Sequence, residues 1–165
     1  MKKIIIIGCP GSGKSTLARE LHQQTGIPLY HLDMMYWNAD KTTVEKSVFR
    51  ERLSWVLEKD EWIIDGNYSS TMEMRMAVCD TVIFLDYSLD VCLGGIKERR
   101  GKARCDMPWI ETKEGPEFVE FIKSYNRHQR PQVLELLERY SNKNVIVFTN
   151  REQAQAFLSG EKYTE

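Results

Sequence analysis

Residues 8–15 read Gly8-Cys9-Pro10-Gly11-Ser12-Gly13-Lys14-Ser15 and fit the spacing G-x-x-x-x-G-K-[ST]. An unbroken apolar run, Ile4-Ile5-Ile6-Ile7, precedes them, and an amphipathic stretch from Thr16 to Gln24 follows. Strand, glycine-rich loop and helix in that order leave few architectures open. Such a loop works by turning consecutive backbone N–H groups inward around an anion, while the following helix points its positive end at the same charge. In this pattern Lys14 reaches the β- and γ-phosphates of a nucleoside triphosphate and the Ser15 hydroxyl ligates Mg2+. Gly8, Cys9, Pro10, Gly11, Ser12, Gly13 and Thr16 complete the phosphate cradle. An accidental match is a roughly 1% event in a chain of this length at average residue usage. A triphosphate site is therefore expected.

The chain has 165 residues, enough for one domain with a substantial core, and residues 1–165 are expected to form a single unit. Apolar runs of strand length recur at Lys3–Ile7, Leu29–Leu32, Trp62–Ile64, Thr81–Leu85 and Asn144–Phe148. Segments of helical period separate them. The alternation predicts a three-layer α/β P-loop fold, with a five-stranded parallel sheet flanked by helices. Continuous rather than alternating apolarity fits strands covered on both faces.

The first helix runs from about Lys14, buries Leu17 and Leu21, and stops at Gly26. A second carries Phe49, Leu53, Val56 and Leu57, with Thr42-x-x-Glu45 as its capping box. Leu89, Leu93 and Ile96 line a third, weakened by Gly94-Gly95. Periodicity disappears from Arg99 to Gly115, where the segment Arg99-Arg100-Gly101-Lys102-Ala103-Arg104 is basic. Pro116 opens a long helix that Pro131 should kink or break, and a last helix spans Glu152 to Leu158.

Composition excludes little but is useful. Lys plus Arg total 23 against 24 Asp plus Glu, a net charge of −1, so bulk charge gives no sign of nucleic-acid binding. The four cysteines show no C-x-x-C pairing, which argues against a zinc site. No stretch approaches the roughly 20 apolar residues needed to span a bilayer. Met1-Lys2-Lys3 runs straight into a short isoleucine run with no small-residue cleavage site, and a cytoplasmic location with reduced thiols is expected.

In open α/β sheets ligands gather outside the carboxyl ends of the strands. Three acids stand at such positions: Asp33, Asp65 and Asp86. Each has an ordinary alternative as a turn or cap residue. Asp65 ends Ile63-Ile64-Asp65-Gly66, the form of an element that holds Mg2+ directly or through water. Gly66 stands where motor-type ATPases carry an acidic base, which favours phosphoryl transfer to an acceptor over ATP hydrolysis. Asp33 is a candidate base for an acceptor hydroxyl, or a second metal-side ligand. Asp86, ahead of Ser88, reads as structural. Asn142-Lys143-Asn144-Val145 lacks the Asp of a guanine-reading element, so ATP is the expected nucleotide. Thr149-Asn150-Arg151 is expected to border its base, with Asn150 as the contact.

With the loop, Asp65-Gly66 and the basic segment, the chain resembles the adenylate-kinase-like P-loop kinases. More narrowly it resembles the DNA topology modulation, or flagellar-regulation-related, protein family. That likeness rests on Tyr30-His31-Leu32-Asp33, Tyr36-Trp37, Trp62-Ile63-Ile64-Asp65-Gly66-Asn67-Tyr68 and Cys79-Asp80-Thr81-Val82-Ile83-Phe84-Leu85-Asp86. It implies Lys14 and Ser15 on phosphate and Mg2+, Asp65 on the metal, and a mobile lid at residues 99–115. It also implies that Arg99, Arg100 and Arg104 from the lid, and Arg127 and Arg130 from the helix after it, cover the transferring phosphoryl group. Adenylate kinases carry Phe-Pro-Arg after Asp-Gly, whereas this chain has Asn67-Tyr68-Ser69. The arginine that grips a nucleoside monophosphate is missing, and Arg75 is the nearest substitute.

Tyr36, Trp37 and Tyr68 lie past strand ends, where an aromatic wall can stack on a planar acceptor, while Trp62 reads as core. These features imply a small-molecule kinase that uses ATP and Mg2+ on an unidentified nucleotide, nucleoside or other small acceptor. The chain would act as a monomer or homodimer without a membrane partner. The family name suggests an alternative, a nucleotide-binding regulator of DNA topology acting directly or indirectly. Near-zero charge and the absence of a helix-turn-helix signal count against direct DNA binding.

Overall fold

Ile4, Ile5, Ile6 and Ile7 are all fully buried, two on each face of the strand they form, so this strand must lie inside the sheet. The computed structural model describes residues 1–113 and 115–160. Glu114 of the expected lid and the last five residues of the expected domain lie outside the described residues.

The elements follow in the order β1 (Lys3–Gly8), α1 (Lys14–Thr25), β2 (Leu29–His31), α2 (Leu32–Tyr36), α3 (Lys46–Leu57) and β3 (Trp62–Asp65). They continue with α4 (Ser69–Val78), β4 (Thr81–Leu85), α5 (Leu89–Arg99), α6 (Pro116–Arg139), β5 (Asn144–Phe148) and α7 (Arg151–Ser159). The five strands form one sheet in the order β2-β3-β1-β4-β5, every pair parallel. Ile4, Ile6, Ile63 and Ile83 pack on one face against Leu17, Leu21 and Ile96. Ile5, Ile7, Ile64 and Phe84 pack on the other against Phe49, Leu53, Met72 and Met76. This is the expected three-layer α/β arrangement. No described helix is long and apolar enough to cross a membrane.

Several local expectations need correction. Leu32 does not end β2 but opens α2, so Asp33 sits in the first turn of a short helix. The capping box before α3 is not formed. The Thr42 hydroxyl donates to Asp40 Oδ1 at 2.6 Å and accepts from Asn38 Nδ2 at 2.9 Å, and the helix starts after Glu45 with no side-chain cap. Pro131 does not break α6, which is continuous across it. Pro131 and Arg127 both lie on the exposed side, so water can bond the Arg127 carbonyl that Pro131 cannot. The helix thereby serves both layers, with Ile122 and Tyr125 in one core and Val133 and Leu137 in the other. Helix α4 was not read from the sequence at all.

The Gly94-Gly95 pair has a packing role that outweighs its helix cost. A Cβ on Gly95 would lie 2.0 Å from the Gly11 carbonyl oxygen, and one on Gly11 would lie 2.0 Å from the Cys92 carbonyl oxygen. The phosphate loop therefore rests directly on the backbone of α5, and Gly11 holds a left-handed φ of 84° there. Gly94 faces open space. Gly94→Ala should raise stability by up to about 1 kcal/mol. Gly95→Ala should lower it by about 1–3 kcal/mol and displace the loop. Thermal denaturation of the two variants should move in opposite directions.

Candidate functional site

The parallel register sets out the site before any side chain is considered. Ile6 pairs with Asp65, His31 pairs with Asp65, and Gly8 pairs with Leu85. The start of the phosphate loop, the end of β3 and the end of β2 are thus neighbours on one sheet edge. Asn67 fastens them: its Oδ1 accepts from the Gly8 N–H at 3.1 Å and its Nδ2 donates to the Gly8 carbonyl at 2.7 Å.

Lys14 folds back over its own loop and donates to the carbonyls of Gly8 (2.9 Å) and Cys9 (3.1 Å). Desolvation lowers its pKa, opposed by the nearby Asp65, Cys9 and Asp33. A partly buried ammonium facing this cradle is suited to an anion that restores its lost solvation. Ser12 is buried with its hydroxyl lacking a hydrogen-bond partner among the described residues. The Cys9 side chain turns away into the core beside Cys92, and its thiol pKa is raised by the contact with Cys92 and by burial. Cys9 can therefore serve phosphate only through its backbone.

Asp65 is 4% exposed, and its Oδ1 lies 2.6 Å from His31 Nδ1. Burial alone would lower the His31 pKa, but the bond to Asp65 and its charge outweigh this and raise it. Asp33 accepts from the Tyr68 hydroxyl at 2.6 Å, and burial raises its carboxyl pKa from the ordinary value.

The segment after α5 lies across the loop. Ser15 Oγ donates to Asp106 Oδ2 at 2.6 Å. Arg104 grips both oxygens of Asp106, at 3.0 and 2.9 Å, and reaches Glu111 Oε2 at 2.7 Å. Glu111 in turn lies 3.0 Å from Arg99 Nε. Burial would raise the Asp106 carboxyl, yet the bonds from Arg104 and Ser15 prevail and hold it at about 2.

Two cavities meet here. One, of about 580 Å3, runs from the loop and α1 past Arg99 and Lys102 to Arg151, Ala154 and Leu158. The other, of about 530 Å3, is walled by Asp33, Trp37, Tyr68, Trp109 and Phe118. Lys14, Ser15, Arg99, Arg104 and Asp106 line both.

Not every expected residue arrives. Arg100 is exposed at the end of α5 and lines neither cavity. Arg127 is exposed on α6, outside both. Arg130 is also outside, clamped to Asp86 by two bonds of 2.8 Å, which gives Asp86 the structural role expected of it. Asn150 caps α7 by accepting from the Gln153 N–H, and its neighbour Arg151 lines the cavity instead. Arg75 cannot substitute for a substrate-gripping arginine. It is fully buried and donates to the carbonyls of Gly66, Asn67 and Tyr68, holding the turn after β3 in shape. Tyr36 packs edge-on against Phe49 and Tyr68 and does not line the second cavity, whereas Trp37 and Tyr68 do.

Asp106, Glu111, Asn67, His31 and Trp109 carry much of the site, yet nothing in the sequence assigns any of them a chemical role there. Only His31 and Asn67 had a signal, their place beside strand-end aspartates.

Residues that could hold Mg2+ are Ser15 and Asp65, with Asp106 adjacent. Among the described residues no group of three or more His, Cys, Asp or Glu side chains forms a metal cage. That fits an ion held by one or two protein oxygens plus substrate phosphates, the usual habit of Mg2+.

The sequence pattern of the AAA domain family matches residues 3–93. No curated protein matches the chain. Among solved structures, the chain is similar to shikimate kinase from Acinetobacter baumannii in complex with shikimate, with a TM-score of 0.65 at 15% identity over 97% of this chain and 90% of that one. It is also similar to shikimate kinase from Bacteroides thetaiotaomicron, with a TM-score of 0.54 at 20% identity over 95% and 94% of the two chains. At these identities the likeness is one of fold.

Asn67→Ala removes both bonds to Gly8 and should cost about 1–3 kcal/mol. Calorimetric titration should show weaker ATP binding alongside the lower melting temperature. Unchanged affinity would mean that the loop keeps its shape without this clamp.

Proposed function

The chain belongs to the AAA domain family, and we propose that it is an ATP- and Mg2+-dependent kinase that phosphorylates a small, hydroxyl-bearing acceptor. The observation that carries this reading is the meeting of two cavities at Lys14, Ser15, Arg99, Arg104 and Asp106. A hydrolase needs one deep site and a water. A transferase needs a donor side and an acceptor side that share the transfer point, and this arrangement suits the second.

On the donor side the triphosphate lies along the loop, with Lys14 on its outer phosphates and the α1 N-terminus behind them. The base lies toward Arg151, Ala154 and Leu158. Ser15 and Asp65 are the proposed metal donors. Mg2+, when bound, would neutralise charge on the β- and γ-phosphates.

On the acceptor side Asp33 takes the proton of the attacking hydroxyl. Its desolvated carboxylate is a stronger base than an exposed one, and the bond from Tyr68 fixes its orientation. Arg99 and Arg104 spread positive charge over the equatorial oxygens of the moving phosphoryl group. Trp37, Tyr68, Trp109 and Phe118 supply a largely aromatic wall. Trp109 packs edge-on against Trp37 at 4.9 Å, so the segment after α5 also closes the acceptor side. The fold-level likeness to two kinases of small molecules supports the reaction class and leaves the acceptor to experiment.

The test is an ATP-consumption screen over nucleosides, nucleotides and hydroxyl-bearing metabolites. Lys14→Ala should abolish turnover, and full activity in that variant would sink the assignment. Asp33→Asn should lower kcat by about 100-fold or more. Because Asp33 must be ionised to act and burial raises its pKa, wild-type kcat/KM should fall as the pH drops, with a midpoint higher than an exposed aspartate would give. Unchanged turnover in Asp33→Asn would remove the hydroxyl-acceptor chemistry.

A further inference from the structure

A serine hydroxyl has one proton and two lone pairs. For Ser15 Oγ to face a cation with its lone pairs, the proton must be sent elsewhere, to an acceptor on the far side. The strand-end carboxylate Asp65 is a natural acceptor, but here its Oδ1 is engaged by His31. The proton of Ser15 goes instead to Asp106 Oδ2 at 2.6 Å, across 91 positions of sequence. Asp106 belongs to the segment after α5, not to the sheet.

Asp106 is itself tightly held. It is 4% exposed, and Arg104 binds both of its oxygens. Through Glu111 the same network reaches Arg99. Of the two arginines that line both cavities, Arg104 is therefore joined to the Ser15 hydroxyl through Asp106, and Arg99 through Glu111, Arg104 and Asp106. Nothing else in the segment makes a hydrogen bond to the phosphate loop of comparable length among the described residues.

We propose that Asp106 is a positioning residue that couples the seating of segment 99–113 to the metal side of the nucleotide site. With Asp106 seated, the Ser15 lone pairs are aimed at the cation and Arg99 and Arg104 are in place. With the segment lifted, the hydroxyl is free to rotate, Arg104 leaves, and Arg99 at the end of α5 loses its Glu111 partner. The coupling makes the metal-bound nucleotide, and not the nucleotide alone, the ligand that favours the seated segment. This rests on the nucleotide-site reading above.

Calorimetric titration of the full chain with ATP in Mg2+ and with ATP in EDTA separates the possibilities. Asp106→Ala should weaken Mg2+–ATP binding by about 10–100-fold, the usual effect of removing a partner that orients a metal ligand. The loss of ATP binding in EDTA should be clearly smaller than the loss in Mg2+, because no metal then depends on Ser15. Tryptic cleavage at the basic residues between 99 and 113 gives a second readout. In the wild type Mg2+–ATP should slow it more than ATP with EDTA, and in the variant the Mg2+ increment should vanish. Should Asp106→Ala fail to fold, Asp106→Asn keeps the volume and one acceptor oxygen but loses the carboxylate that Arg104 grips through both oxygens, and should show a smaller loss of the same metal-selective kind. Equal losses with and without Mg2+, no loss, or tighter Mg2+–ATP binding would each overturn the coupling. Failure of the wild type to bind ATP either with or without Mg2+ would instead overturn the nucleotide site, and the coupling with it.

Discussion

The burial of β1 on both faces is the constraint on which the rest depends. Four fully buried isoleucines contribute about 6–12 kcal/mol by their removal from water, and only an interior position in a doubly covered sheet delivers it. An interior parallel strand must be followed by a crossover, and the phosphate loop is the start of that crossover. The loop therefore emerges at the carboxyl edge with β3 on one side and β4 on the other. Asp65, Asn67 and His31 come to the loop through strand register, with no separate device needed to bring them.

What register does not supply, close packing does. The loop lies on α5 at a distance that excludes a side chain at Gly11 and Gly95, so the helix from which the arginine-rich segment departs is fixed relative to the phosphate site. The segment then returns across the loop as a chain of charge-assisted bonds from Arg99 through Glu111, Arg104 and Asp106 to Ser15. These groups are partly buried, where such bonds are stronger than at the surface and an unmatched charge is costly. The network holds as a unit and would be released as one.

The legible part of this protein was the part governed by short-range pattern. The isoleucine run, the loop and the helix after it announced one another, and the remaining strands followed from continuous apolarity. Helix α4 escaped because its buried face is Thr71, Met72, Arg75 and Met76, a set with no clear apolar stripe. Thr42-x-x-Glu45 looks like a cap, but the helix starts only after Glu45, and the Thr42 oxygen accepts from Asn38 Nδ2 instead. Lys14, Ser15, Asp33 and Asp65 were legible in the site because they sit in motifs or at strand ends. Asp106 and Glu111 were not, since only three-dimensional proximity distinguishes them from solvated acids in a polar stretch. Among the arginines, Arg99 and Arg104 reach the site while Arg100, Arg127 and Arg130 do not, a sorting that depends on where each side chain finds a carboxylate or a cavity.

The central claim is transfer of a phosphoryl group between two sides of one site. Phosphorus-31 NMR of the protein with Mg2+–ATP and a pool of hydroxyl-bearing small molecules observes that transfer directly. The account predicts loss of the γ-phosphate resonance with matching growth of ADP and of a new phosphomonoester. Conversion of ATP only to ADP and inorganic phosphate, whatever the acceptor supplied, would contradict it.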